Sequence, residues 1–125
     1  MTANEVVRAY WDTMATNDFY KASEWLAEDF ECYWPQSSEL IIGRENFALI
    51  NSLYPVNGKW SFEVNSIIGD ESQVVTDVSV SDEKSHARAI TFHSVENNLI
   101  VSQKEYWPDS FEPPLWRRKW VKIVS

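Results

Sequence analysis

Two side chains in this sequence have the chemistry to move protons from within an apolar setting, Glu105 and His93. Glu105 stands in "VSQKEYWPDSFEPPLWRRKW", residues 101–120, among Tyr106, Trp107, Phe111, Trp116 and Trp120. A carboxylate so placed is either a solvated edge residue or an acid held out of water, where desolvation raises its proton affinity. An acid of the second kind can donate a proton, or once ionised remove one from a carbon beside a carbonyl. Alternation along a strand groups Glu105 with Val101, Gln103 and Trp107, against Ser102, Lys104 and Tyr106, and the first group is the better pocket face. His93, in "AITFHSV", falls with Thr91, Ala89 and Ala87, and alternation leaves open whether that set or Arg88, Ile90 and Phe92 faces inward. Facing inward, His93 would be a proton relay for Glu105; otherwise it holds a structural or interface hydrogen bond.

Trp11, Trp25, Tyr33 and Trp34 are candidates for an aromatic wall, and Gln103 and Trp107 complete the set expected to touch a ligand. With 7 Trp and 14% aromatic residues, the chain has enough large flat side chains to line a cavity or to fill one. Cys32 stands alone, with no cationic neighbour or helix start to lower its pKa, and reads as a small buried apolar residue. Two isolated histidines and one cysteine give no metal-ligand spacing, and 3 glycines form no phosphate loop, so neither a metal nor a cofactor is expected.

These residues need a scaffold, and its order is legible. Val6, Val7, Tyr10, Trp11 and Met14 make an apolar stripe on a helix over 3–16, capped by Thr2 or Asn4. Asn17-Asp18 caps a second helical pattern through Phe19, Ala22, Trp25 and Leu26, ending near Asp29. "FECYWP" from Phe30 leans to strand, a short apolar run stops at Gly43, and a third helix carries Phe47, Ile50 and Leu53. Four strands follow, "KWSFEVNSIIGD", "SQVVTDVSVSD", "HARAITFHSVE" and "LIVSQKEYW", joined by hairpin signals that include Asn97-Asn98. Three helices ahead of a meander predict an α+β fold, helices packed on one face of a mostly antiparallel sheet. A short amphipathic tail opens at Pro114, and its Arg117, Arg118, Lys119 and Lys122 are expected to pair with acidic groups of the same or a partner subunit.

At 125 residues the chain is expected to form one domain, residues 1–125, with one core. Nineteen acidic against 11 basic residues give a formal charge of −8, which repels nucleic acid and anionic membrane alike. A lone cysteine needs no oxidising compartment, and no segment reads as a leader or a spanning helix, so a cytoplasmic protein is expected.

The element order, with "GREN" at 43–46, "VVTDVSV" at 74–80 and "EYWPD" at 105–109 backed by Trp116-Arg117, resembles SnoaL-like members of the nuclear-transport-factor-2-like superfamily over essentially the whole chain. The resemblance implies a cone in which a curved sheet wraps a pocket plugged by helices. It also implies a homodimer through the outer face of the sheet and a small apolar molecule as ligand. That superfamily holds polyketide cyclases, ketosteroid isomerases, dehydratases and epoxide hydrolases, alongside members without catalysis. By resemblance to the epoxide hydrolases, Asp77 in "VVTDVSV" would work with Glu105 as a second carboxylate, although Val75 stands where their arginine would be. Two carboxylates on one cavity push their proton affinities apart, which suits acid–base lyase, isomerase or cyclase chemistry. The other reading pairs Asp77 with Arg88 or Lys104, and makes the protein a ligand-holding or assembly module.

Overall fold

The computed structural model describes residues 1–124. Helix α1 spans Ala3–Met14 and starts at a capping box: the Thr2 hydroxyl accepts from Glu5 N–H at 3.1 Å while the Glu5 carboxylate accepts from Thr2 N–H at 2.8 Å. Its stripe of Val6, Val7, Tyr10, Trp11 and Met14 is buried, as the spacing predicts. Asp18 caps α2, which is only Phe19–Ala22 and tightens into a 3-10 turn at Ser23–Trp25.

Strand β1 then runs Leu26–Trp34, four residues earlier than its aromatic signal. "LAED" has helical propensity, but Leu26 pairs in parallel with Ile100 of the last strand and its carbonyl accepts from the Arg44 guanidinium. Tertiary pairing overrides a propensity worth only tenths of a kcal/mol per residue, about 0.7 at most. Strand β2 is Glu39–Ile42 and α3 is Arg44–Leu53. Gly43 between them sits at φ 86°, ψ 146°, and its N–H reaches the Phe30 carbonyl at 2.6 Å. A Cβ there would find room, its nearest neighbour being the Glu28 carbonyl oxygen at 3.8 Å. Gly43→Ala therefore tests backbone strain alone: it is expected to lower stability by about 1–3 kcal/mol, read from a urea midpoint.

The meander comprises β3 (Ser61–Gly69), β4 (Gln73–Ser81), β5 (His86–Glu96) and β6 (Leu99–Tyr106). Asn97 and Asn98 both take positive φ, the two-residue turn that matches strand twist. All six strands form one sheet in the order β2-β1-β6-β5-β4-β3, with β1 and β6 the single parallel pair. Register shifts at Val64/Ser66 and Ser94/Val95 bend the strands, which curves the sheet around the helices. The shift in β5–β6 also corrects the parity of Val101: Ile100 is the buried residue there, and inward alternation resumes at Gln103 and Glu105. The core lies between α1, α3 and the inner sheet face, where Phe30, Cys32, Val74, Val78 and Ala89 are buried. After Tyr106 the chain runs out as an arm whose one regular piece is a 3-10 helix, Leu115–Trp120. No helix among the described residues is long and apolar enough to cross a membrane.

Candidate active site

Glu105 is 5% exposed, and it is the one buried acid among the described residues. It occupies the middle of the sheet because β6 lies between β1 and β5, with Thr91 directly opposite across the ladder. Thr91 donates its hydroxyl to Glu105 Oε2 at 2.6 Å, and Trp34 of β1 donates its indole Nε1–H to Oε1 at 3.0 Å. The nearby Trp107 side chain acts in the same direction, favouring the charged carboxylate. Burial pushes the proton affinity of Glu105 above the ordinary carboxylate value, and these donors pull it part of the way back. Both oxygens are thus oriented by rigid partners while the group stays more basic than a solvated glutamate.

The carboxylate opens onto a cavity of about 690 Å³ between the helices and the inner sheet face. Its walls include Tyr10, Trp11, Trp34, Phe62 and Trp107, so the cavity is mainly aromatic. Glu39 and Asp109 stand exposed at its rim. Tyr10 lines it, and burial together with the nearby Glu105 pushes the pKa of its hydroxyl well up, so the group keeps its proton.

His93 faces inward but lies behind the cavity, fully buried and edge-on to Tyr10 and Trp11. Its register partner is Gln103, two positions from Glu105, so it is no direct relay to that acid. Nε2 lies 2.8 Å from Thr76 Oγ1, which accepts from the Trp11 indole at 3.2 Å, and Nδ1 lies 3.1 Å from the Gln103 amide nitrogen. That amide orientation leaves Gln103 Oε1 buried without a partner. The reversed amide would accept from Nδ1–H while Nε2 accepts from the Thr76 hydroxyl, and the Gln103 NH2 would then take the unpartnered position. Burial pushes the His93 pKa down to about 3, so the ring is neutral. Gln103 and His93 hold α1 to the sheet through Trp11 rather than meeting the cavity.

Three expectations are corrected by placement. Asp77 does not converge with Glu105: alternation in β4 sends Thr76 and Val78 inward and Asp77 outward. There Arg88 holds both carboxylate oxygens, the Nη2 contact at 2.8 Å, and keeps the Asp77 pKa below its ordinary value. Asp77→Asn is expected to leave turnover at the wild-type level, so a loss of activity would put Asp77 back in the reaction. Tyr33 also points outward, 41% exposed, because Cys32 and Trp34 take the inner positions of β1. Trp25 packs against the core at the end of the 3-10 turn and donates to the Thr13 hydroxyl at 3.2 Å, away from the cavity. Thr91 at the carboxylate and Tyr10, Trp60 and Phe62 on the cavity wall belong to the site without a motif that marks them. Thr91 was within reach of the sequence, since hairpin counting back from Asn97-Asn98 places it near Glu105.

Residues 7–103 match the family model described as a SnoaL-like domain. No curated protein matches the chain in sequence. Among solved structures, a protein of Kribbella flavida provisionally named a ketosteroid isomerase superposes with a TM-score of 0.90 at 28% identity, over 98% of this chain and 89% of that one. An NTF-2 like protein of unknown function from Burkholderia xenovorans is 31% identical over 97% of this chain and 94% of its own, with a TM-score of 0.81. An epoxide hydrolase of M. tuberculosis, 18% identical with a TM-score of 0.65 over 83% of this chain and 80% of that one, shares the fold. With a curved six-stranded sheet, helices closing its inner face and most of its length covered by the domain model, this chain belongs to the SnoaL-like family of the nuclear-transport-factor-2-like fold.

Proposed function

We propose that the protein is a cofactor-independent acid–base catalyst acting on a small, mainly apolar carbonyl compound, with Glu105 as its proton-transfer group. The observation that carries this reading is a buried carboxylate, held at both oxygens, with raised proton affinity at the wall of an aromatic cavity. A single base of this kind removes a proton from the carbon beside the carbonyl and becomes a carboxylic acid. Returning that proton to another carbon of the same substrate completes an isomerisation, and expelling a leaving group from the enolate completes an elimination. Among the described residues Glu105 is the one buried carboxylate of the cavity, with Glu39 and Asp109 exposed at its rim, so the same group is suited both to take and to return the proton, which favours isomerase or lyase chemistry. The similarity to the Kribbella flavida protein provisionally named a ketosteroid isomerase supports the same class of proton shift.

The test uses a panel of small cyclic and unsaturated ketones incubated with the protein in D2O and followed by proton NMR. Deuterium entering beside the carbonyl faster than in buffer is expected for at least one of them. Ligand binding without any exchange, across the panel, would make the cavity a holding site and overturn the catalytic assignment.

A further inference from the structure

The large cavity is charged as well as aromatic, and its charge has one sign. Its lining includes the acids Glu39, Glu105 and Asp109 and, among the described residues, no lysine, arginine or histidine. The 11 lysines and arginines of the chain lie elsewhere. Arg88 pairs with Asp77 on the outer sheet face, Lys104 lies over the Phe92 ring at 5.2 Å, and Arg44 donates to the Leu26 carbonyl. Arg88 with Asp77 is the single salt bridge among the described residues, so Arg117, Arg118, Lys119 and Lys122 of the arm neutralise neither rim acid.

The sheet sets one rim acid in line with the buried one. Trp34 of β1 donates to Glu105 of β6 on one side and is the register partner of Glu39 of β2 on the other. Glu105, Trp34 and Glu39 therefore form one row across three neighbouring strands, and all three line the cavity. Adjacent strands lie about 4.8 Å apart, which puts the backbones of Glu39 and Glu105 about 10 Å apart with Trp34 between them. Asp109 arrives on the arm. Gln36, in the turn between β1 and β2, donates to the Trp107 carbonyl at 3.1 Å and accepts from the Trp107 N–H. That clamp fixes the root of the arm beside β1 and β2 and brings Asp109 to the same cavity as Glu39.

The rest of the wall suits the same sign of guest. Trp34, Tyr54, Trp60 and Trp107 line the cavity, and the face of an aromatic ring attracts a cation. A cleft lined by one sign of charge concentrates ligands of the other sign and turns away its own. A carboxylate or phosphate on the substrate would meet three like charges and no partner.

We propose that the cavity selects a cationic substrate: a small carbonyl compound carrying an ammonium group a few bonds from the carbon that loses its proton. The carbonyl end lies at Glu105 and the ammonium at Glu39 and Asp109, against the aromatic wall. The carbonyl end rests on the reading of Glu105 as the proton-transfer group, whereas the ammonium end rests on the rim.

Isothermal titration calorimetry with three methyl ketones of one length tests the rim. The chains end, after three methylenes, in dimethylammonium, in isopropyl and in carboxylate; the tertiary amine cannot condense with a carbonyl. The ammonium ketone is expected to bind about tenfold tighter than its uncharged isostere, and the carboxylate ketone more weakly than both. Because Glu39 and Asp109 are exposed, the advantage should shrink as salt is raised. Glu39→Gln with Asp109→Asn should leave far-UV circular dichroism unchanged and remove most of the preference. Binding is read without turnover, so two failures separate. Deuterium exchange with no charge preference would overturn this proposal and leave the Glu105 assignment standing, and an ammonium preference with no exchange would do the reverse. Failure of the ammonium ketone to bind, binding no tighter than its isostere, or a preference unaltered in the double variant would each overturn the cationic assignment.

Discussion

Glu105→Gln is expected to lower the rate of the proton transfer by about 100- to 10,000-fold, the range that a positioned acid–base group contributes. The fold should persist, because the amide can accept from the Trp34 indole through its oxygen and donate to Thr91, whose hydroxyl rotates to receive it. In the wild type the base form is required, so kcat/KM should rise with pH through a midpoint above the ordinary value of 4.5, in the direction that burial displaces it. Stability should move the opposite way. The folded state holds the Glu105 proton more tightly than the unfolded chain does, so this contribution is complete below pH 4.5 and is lost as pH climbs through the raised value. Glutamine imitates the protonated acid at every pH. The variant should therefore melt above the wild type at neutral pH, with the difference closing as pH falls towards 4.5. Calorimetry beside the D2O exchange assay reads both effects on one preparation. A variant that is neither slower nor more stable would mean that Glu105 is solvated and plays no part in the reaction.

The second large effect belongs to His93. Its pKa is pushed from 6.5 in the unfolded chain to about 3 in the fold, purely by desolvation of the ring. The stability it contributes is complete above pH 6.5 and is lost as pH falls towards 3, by an amount on the order of 5 kcal/mol. Domains of this size have about 5–15 kcal/mol in all, so His93 is expected to dominate acid unfolding. His93→Gln does not titrate and should cost about 1–3 kcal/mol at neutral pH through poorer hydrogen bonding to Thr76 and Gln103. Urea unfolding of both proteins between pH 3 and pH 7 isolates the histidine, since the Glu105 contribution is common to them and cancels. The gap between the curves should close as the solution is acidified and then reverse before pH 3, because a loss on the order of 5 kcal/mol exceeds the wild-type advantage of about 1–3 kcal/mol. A constant gap would mean that the ring protonates inside the fold without penalty.

The chemistry of these two residues was unevenly legible. Periodicity alone located α1, α3 and the four-stranded meander, because apolar stripes at 3.6 and at 2 residues reflect which side of each element meets the core. It also set Glu105 and Gln103 on one face of β6 with Thr91 and His93 sharing a face of β5, since alternation is a property of the strand itself. The start of β1 at Leu26 was hidden, because a parallel pairing with β6 joins residues more than seventy positions apart and leaves no local mark. The bulge that displaced Val101 is hidden for a similar reason: it is a feature of two strands together.

What the sequence by itself determined is the fold family, the inward set of each meander strand away from the bulge, and the presence of one acid among aromatics. Only the tertiary structure decided that Asp77 turns outward to Arg88, that His93 sits neutral behind the wall, and that Glu105 meets a cavity with donors at both oxygens. The reason is physical. A residue's face follows from its own strand, whereas its burial, partners and proton affinity depend on surfaces contributed by segments distant in the chain, and those meet only when the sheet closes around the helices.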